Sequence, residues 1–335
     1  MNINRTSRVL CFGEILLRYA LPSAQNWLHG ANINAYLGGA EHNVAVALAN
    51  WGVPVKYCSA LPDNFLGRQI ITNLEDAHVD TSAMQIVGDR VGVYYVPEGE
   101  DVKNAGVFYD RANSSFSQLK VGQIDWEKIL HDCDWFHFSA IAAALNDDVT
   151  AVCEEALKVA ERKGLTISLD LNYRSKLWQY TASPIPIMQP LAAYCDVVMG
   201  NVWAANTLLG IPIDAAEKDR FQKENCIKQA HDTAQTMFDL YPKIKTVANT
   251  YRFSEQDDIY YYATLHERNQ DFCSKNFETK TVVDKVGSGD CFMAGLIYGL
   301  RQKNDYQDIV NLAATVAFNK LQEKGDASKQ KLPVI

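Results

Sequence analysis

Short apolar runs alternate with helix-length amphipathic stretches along most of the chain, and few folds accept that alternation. Val9 to Gly13 reads as a strand ending in Gly, Ala40 to Trp51 as a helix stopped by Gly52-Val53-Pro54, Val55 to Ala60 as a strand and Leu66 to Ala77 as a helix. The pattern returns at Trp135 to Phe138. A helix follows, with Val149, Val152, Cys153, Ala156, Leu157 and Ala160 on one face, and Gly164 ends it. Leu165 to Leu171, Asp196 to Met199 and Ile244 to Ala248 read as further buried strands, with helical text around 217 to 240. This alternation predicts an α/β fold, a mostly parallel central sheet with helices on both faces. Between about Arg90 and Ser115 the text turns β-rich: 91–96 and 106–109 flank a polar turn at 98–104, predicting a hairpin that stands apart.

Length and composition narrow the function. At about 150 residues per domain, 335 residues make roughly two domains, or one large domain with an appendage. With 47% hydrophobic and 21% charged residues, disorder, collagen-like repeats and small disulfide scaffolds are poor fits. The 32 Lys and Arg against 40 Asp and Glu give a net charge of -8 and no concentrated basic patch, so no nucleic-acid partner is expected. The eight cysteines contain no CxxC pair and sit mostly in apolar runs, as reduced core residues of a cytoplasmic protein do. Arg5 and Arg8 precede an apolar stretch, but Glu14 interrupts it, so no signal peptide is expected. Leu191 to Ile213 is broken by Asp196, Asn201 and Asn206, short of the roughly 18 apolar residues of a membrane span, so no membrane partner is expected either.

In open parallel sheets, ligands bind beyond the carboxyl ends of the strands. The most informative segment there runs from Asp284 to Gly295, where a strand is expected to lead into Gly287-Ser288-Gly289-Asp290 and then a helix. Glycines admit close approach, and free N–H groups at a helix start form an anion site. Asp290 is then either a helix N-cap or a base that orients a hydroxyl toward a phosphoryl group. No P-loop, no GxGxxG and no GxSxG elbow occurs. The seven His show no HExxH or HxxxH spacing, so no His-based metal site is expected, and His42 beside Glu41 reads as structural.

Gly287 to Asp290 followed by Phe292 and Ala294-Gly295 resembles the second signature of the PfkB (ribokinase-like) sugar kinases, and Leu37 to Ala45 resembles their first. Within that family, Ser168 to Trp178 looks like the corresponding stretch of 2-keto-3-deoxygluconate kinases. The resemblance covers residues 8 to 328. It implies a ribokinase-like fold, with a large α/β domain from 1–14, 37–90 and 112–335, and a small β lid from 15–36 and 91–111 that often pairs two subunits as a homodimer. It implies ATP and Mg2+, with Asp290 as catalytic base and Gly287, Ser288 and Gly289 as the anion hole. Gly38, Gly39, Asn43, Tyr94, Tyr109, Arg111, Arg174 and Asp326 would contact the substrate. Asn172, Arg174, Asn201, Thr250, Arg252, Gly287 and Gly289 would contact the nucleotide. Arg111 and Arg174 favour a sugar acid, because a guanidinium fork matches a carboxylate.

The implied activity is ATP-dependent phosphorylation of 2-keto-3-deoxygluconate to its 6-phosphate. The rivals are a kinase of a neutral sugar such as fructose or ribose, or of a nucleoside, and a sugar-acid sensor without activity. Three departures from the family bear on this. Ala204 replaces the usual Glu in Asn201-Val202-Trp203-Ala204, the loop expected at 249 to 254 has no Gly, and Lys285 stands where many relatives have Thr, against a bound potassium.

Overall fold

The first strand shows how the centre is built: Val9 and Cys11 enter one apolar cluster, Leu10 and Phe12 the other, and all four are buried. Apolar text on consecutive positions requires cover on both faces. The computed structural model describes residues 7–22, 30, 32–98, 106–213, 222–255 and 258–333. The sequence readings on Arg5, on 99–104, on 217–221 and on the lid residues 23–29 and 31 lie outside them.

In chain order the strands are β1 (Arg8–Phe12), β2 (Leu16–Leu21), β3 (Asn34–Gly38), β4 (Val55–Cys58), β5 (Ala60–Leu61), β6 (Gln85–Ile86), β7 (Gly92–Pro97), β8 (Phe108–Asp110), β9 (Cys133–Ser139), β10 (Thr166–Asp170), β11 (Val197–Met199), β12 (Thr246–Glu255), β13 (Asp258–Glu267), β14 (Gln270–Cys273) and β15 (Phe277–Thr279). The helices are α1 (Ala40–Asn50), α2 (Phe65–Asp76), α3 (Trp126–Ile129), α4 (Ala140–Ala143), α5 (Asp147–Arg162), α6 (Ile185–Ala192), α7 (Val202–Leu209), α8 (Lys223–Leu240), α9 (Ser288–Gln302) and α10 (Tyr306–Lys320).

The large sheet has the order β14-β13-β12-β11-β10-β9-β1-β4, with β15 also on β13. From β4 to β12 every neighbouring pair is parallel, whereas β13 pairs antiparallel with β12, β14 and β15. Helices α1, α2, α9 and α10 cover one face and α4 to α8 the other, as the two apolar clusters record. Among the described residues no helix is long and apolar enough to cross a membrane.

Two local expectations change. The strand expected at Ile244 to Ala248 does not end in a loop: β12 runs on to Glu255, paired with β13, so residues 249–254 are strand. The cause is cross-strand aromatic packing, with Tyr251 stacked on Tyr262 at 4.7 Å between ring centroids and Phe253 tilted against the same ring at 6.2 Å. The strand expected to lead into Gly287 ends at Thr279, and irregular chain covers the rest.

A separate four-stranded sheet, in the order β3-β2-β7-β8, stands over the carboxyl ends of the parallel strands. The expected hairpin is present in it as β7 and β8, with Tyr94 opposite Tyr109. Strand β2 alternates buried and half-buried residues, which places Arg18 on the inner side. There its Nε donates to Asp326 at 2.6 Å and its Nη2 to Asp284 at 2.6 Å. The Tyr94 hydroxyl is hydrogen-bonded to the same Asp326 carboxylate. This buried cluster fastens the small sheet to the turns before α9 and after α10. Removing the cation strands two carboxylates, so Arg18→Met is expected to lower the unfolding free energy in urea by about 3–5 kcal/mol. Arg68→Met, which breaks only an exposed pair with Asp63, should leave it nearly unchanged.

Candidate active site

The carboxyl ends of the parallel strands and the inner face of the small sheet enclose a cleft of about 850 Å3. Glu14 follows β1, Asp170 ends β10, Gly200 follows β11 and Thr250 lies in β12, and all four line it. Helix α9 points its first turn at the same space through Gly287, Ser288, Gly289 and Asp290. Gly287 has φ +80°, and a Cβ there would overlap the Asp326 carbonyl oxygen. Gly39, before α1, has φ +127°, and a Cβ there would overlap the carbonyl of Glu14. Both glycines are required by neighbouring backbone, which brings two helix starts to one end of the sheet.

Those two helix starts meet through one hydrogen bond: Asn43 Nδ2 donates to Asp290 Oδ2 at 2.6 Å. Asn43 Oδ1 lies 3.0 Å from His42 Nδ1. Burial pushes the His42 pKa down to about 4, so the ring is neutral at pH 7 and must donate Nδ1–H to that carbonyl oxygen. The Asn43 amide is thereby oriented with its NH2 toward the carboxylate. His42 is structural, as its sequence context suggests, and its structural task is to aim Asn43.

Asp290 keeps an opening to the cleft but is otherwise enclosed, and burial pushes its pKa up to about 8. The Asn43 hydrogen bond opposes that rise, Asp170 adds to it, Arg174 opposes it and Glu41 adds to it. Glu41 is itself pushed up to about 7 by burial, although its Oε1 accepts from the Ser139 N–H at 2.7 Å. A carboxyl raised this far holds its proton at neutral pH until a cation arrives, and then becomes a competent base.

Most of the expected site residues converge here. Gly39, Asn43, Tyr94, Tyr109, Arg111, Asn172, Arg174, Asn201, Thr250, Arg252, Gly287, Ser288, Gly289 and Asp290 all line the cleft. Gly38 and Asp326 do not. Asp326 is buried, its carboxylate is taken by Arg18 and Tyr94, and it packs against Gly38. Both were expected to contact the substrate, and in this structure they lie behind Tyr94.

Asn201 uses Oδ1 to cap α7, accepting from Ala204 N at 2.8 Å. Arg111 is buried against Glu14, with Nε 2.7 Å from Oε2, so its charge is already matched. Arg174 donates Nη1 to the Tyr173 carbonyl, and among the described residues no carboxylate pairs with it. The guanidinium argument for an anionic ligand therefore rests on Arg174. Sequence reasoning passed over Glu14, Glu41 and Asp170. The rule that ligands sit beyond parallel strand ends could have found Glu14 and Asp170, whereas Glu41 is recognisable only from its burial.

A parallel sheet with two helix starts, one carrying a buried acid, aimed into a cleft beneath a small second sheet defines a ribokinase-like phosphotransferase. The family of pfkB carbohydrate kinases matches residues 6–332, and the chain belongs to that family. A solved 2-dehydro-3-deoxygluconokinase from Thermotoga maritima superposes with a TM-score of 0.87 at 34% identity, over 97% of both chains. The 2-dehydro-3-deoxygluconokinase of Bacillus subtilis is 26% identical over 94% of this chain and 90% of its own. The 2-dehydro-3-deoxygalactonokinase of Haloferax volcanii is 32% identical over 52% of this chain, a match that spans 54% of that relative.

The raised pKa of Asp290 makes a stability prediction. An Asp with an ordinary value near 4 and a folded value of about 8 holds its proton more tightly in the folded state. Its contribution to stability is fully present below about pH 4 and is lost as the pH rises to about 8. The Tm of Asp290→Asn relative to the parent protein should therefore climb between pH 5 and pH 8.5. A difference that stays constant across that range would contradict the assigned shift.

Proposed function

We propose that the chain phosphorylates 2-keto-3-deoxygluconate at its terminal hydroxyl, using ATP, to give the 6-phosphate. The observation that carries this reading is the placement of Asp290 and Arg174 in one cleft, an acid on a Gly-rich helix start and a cation that no carboxylate pairs with among the described residues. Kinases of this family use ATP. The names of the Thermotoga and Bacillus relatives support the substrate, and the Haloferax name favours its 4-epimer, the 2-keto-3-deoxygalactonate acid, as a second reading.

In the reaction the substrate hydroxyl oxygen bonds to the γ-phosphorus as the bond to the β-phosphate oxygen breaks, and the hydroxyl proton passes to Asp290. Backbone N–H groups from Gly287 to Asp290 receive the charge of the transferred phosphoryl, aided by the α9 dipole. Asn43 holds the carboxylate in line, Arg174 faces both anions, and Tyr94, Tyr109 and Arg111 shape the sugar end. Asn172, Asn201, Thr250 and Arg252 lie along the nucleotide end. Mg2+ supplies neutralisation of the phosphate charge. An oxygen donor that would suit a hard cation faces the cleft at Asp170, while Ala204 contributes none. The small sheet of β2, β3, β7 and β8 acts as a lid that excludes water. Its outer side carries Phe108, 63% exposed, beside Tyr95, and forms a homodimer contact.

Asp290→Asn is expected to reduce kcat at least about a hundredfold with KM little changed, in a coupled assay of ADP release. In the parent enzyme kcat/KM should rise about tenfold per pH unit below pH 8 and level off above it, as ionisation of Asp290 requires. Across a panel of the two epimeric acids, fructose and ribose, an acid should give the highest kcat/KM. Arg174→Met should lower that value for the acids at least about tenfold more than for neutral sugars, whose loss reports only the phosphate contact. Faster turnover of fructose or ribose would overturn the substrate assignment, and sugar-acid binding without ADP formation would mark a sensor.

A further inference from the structure

The opposite end of the sheet holds a second cluster of titratable groups. His266 on β13 and Asp271 on β14 are cross-strand partners, and His231 reaches them from α8. Asp271 Oδ1 lies 2.6 Å from His266 Nδ1, and Oδ2 lies 2.7 Å from His231 Nδ1. One ligand atom from each residue falls within 4.8 Å of the others. His266 is fully buried, whereas the side chains of His231 and Asp271 are 42% and 41% exposed.

A chain of buried hydrogen bonds behind His266 governs its protons. Asn249 Nδ2 donates to the Gly200 carbonyl at 2.5 Å, which leaves Asn249 Oδ1 as an acceptor. Thr264 Oγ1 donates to that oxygen at 3.4 Å and lies 3.0 Å from His266 Nε2. With its one hydroxyl hydrogen used, Thr264 accepts from Nε2–H, and the lone pair of a neutral His266 falls on Nδ1. Nδ1 then faces a carboxylate oxygen at 2.6 Å, two acceptors in contact that need a cation between them. A proton on Nδ1 or a metal ion would serve.

We propose that His231, His266 and Asp271 form a binding site for a divalent transition-metal ion of the zinc type, remote from the cleft. Two imidazoles and a carboxylate select a borderline ion over Mg2+ or Ca2+. The Nε2–H bond from His266 to Thr264 is the outer-shell contact that a metal-bound His uses to fix its tautomer. The exposed side leaves room for water as a fourth ligand. Bonds of about 2.0–2.1 Å in a tetrahedron put ligand atoms about 3.4 Å apart. Asp271, now 2.6 and 2.7 Å from the two imidazoles, therefore needs to draw back by about 0.7 Å, and ligand atoms up to 4.8 Å apart need to close by at most about 1.4 Å, movements open to the exposed His231 and Asp271 side chains while His266 stays in place. The ion would tie α8 to the β13–β14 hairpin. The rival is a neutral Asp271–His266–Thr264 chain in which the Thr264 hydroxyl turns to Nε2 and leaves Asn249 Oδ1 unmet.

The test uses the full chain, stripped with chelator, reduced and desalted, then titrated with Zn2+ against a chromophoric competitor. One equivalent should bind with a Kd of about 1 μM or tighter, and Tm should rise with free Zn2+ as mass action requires. His231→Ala, at an exposed helix site, should weaken binding at least tenfold and abolish the Tm rise, while its metal-free Tm stays near that of the parent. Asp271→Asn should weaken binding similarly, and Asp290→Asn should bind like the parent. Co2+ should give a d–d spectrum without a thiolate charge-transfer band. The absence of a Zn2+-dependent Tm rise, undiminished binding by His231→Ala, or a thiolate band would each overturn the site.

Discussion

Arg18 holds two carboxylates at once, and the geometry of the cleft follows from that grip. One partner, Asp326, also receives the Tyr94 hydroxyl and supplies the carbonyl against which Gly287 is packed. The other, Asp284, accepts the backbone N–H groups of Val286 and Gly325. Lys320 adds to the same region by donating Nζ to the Glu323 and Gly325 carbonyls from a fully buried position. The start of α9, the chain after α10 and the inner side of the small sheet are thus one fastened unit. An isolated buried ion pair often adds little net stability, because desolvation offsets attraction. Here the shared cation fixes where Tyr94 and the α9 N-terminus stand relative to each other.

The same cleft gathers like charges. Glu14, Glu41, Asp170 and Asp290 all line it, in a protein whose net charge is already -8. Anionic ligands are therefore opposed by the field of the whole molecule and depend on local cations and backbone dipoles. Arg111 is cancelled by Glu14, so that work falls to Arg174, Lys176, Arg252, Lys285 and the first turn of α9, which line the same cleft. The crowding also has a use, since Asp170 and Glu41 are among the charges that raise Asp290 into the range where a base can exchange its proton near neutral pH.

The cleft and the His231–Asp271–His266 cluster sit at opposite ends of β12 and β13. Thr264 and Asn249 connect them, ending at the carbonyl of Gly200, which lines the cleft. These residues are buried, and their polar groups are satisfied in sequence along the two strands. Such a chain gives Asn249 and Thr264 hydrogen-bond partners inside the sheet and holds the strand ends in register.

Much of the molecule was legible in the residues alone. Buried runs alternating with amphipathic helices require a parallel sheet covered on both faces, and a Gly-rich turn with an acid at a helix start requires an anion site beyond strand ends. Local chemistry decides those features, so Asn43, Arg174 and Gly287 to Asp290 could be found by pattern. Folding decided the rest, because it depends on which distant groups share a dielectric. Asp326 looked like a ligand contact until Arg18, 308 positions away, claimed its carboxylate. Residues 249–254 looked like a loop until aromatics on β13 made them strand. The His spacing ruled out a metal motif, yet an α8 side chain and a β hairpin bring two imidazoles onto one carboxylate. Sequence fixes the type of each group, but its charge state, its partner and its access to solvent are properties of the packed chain.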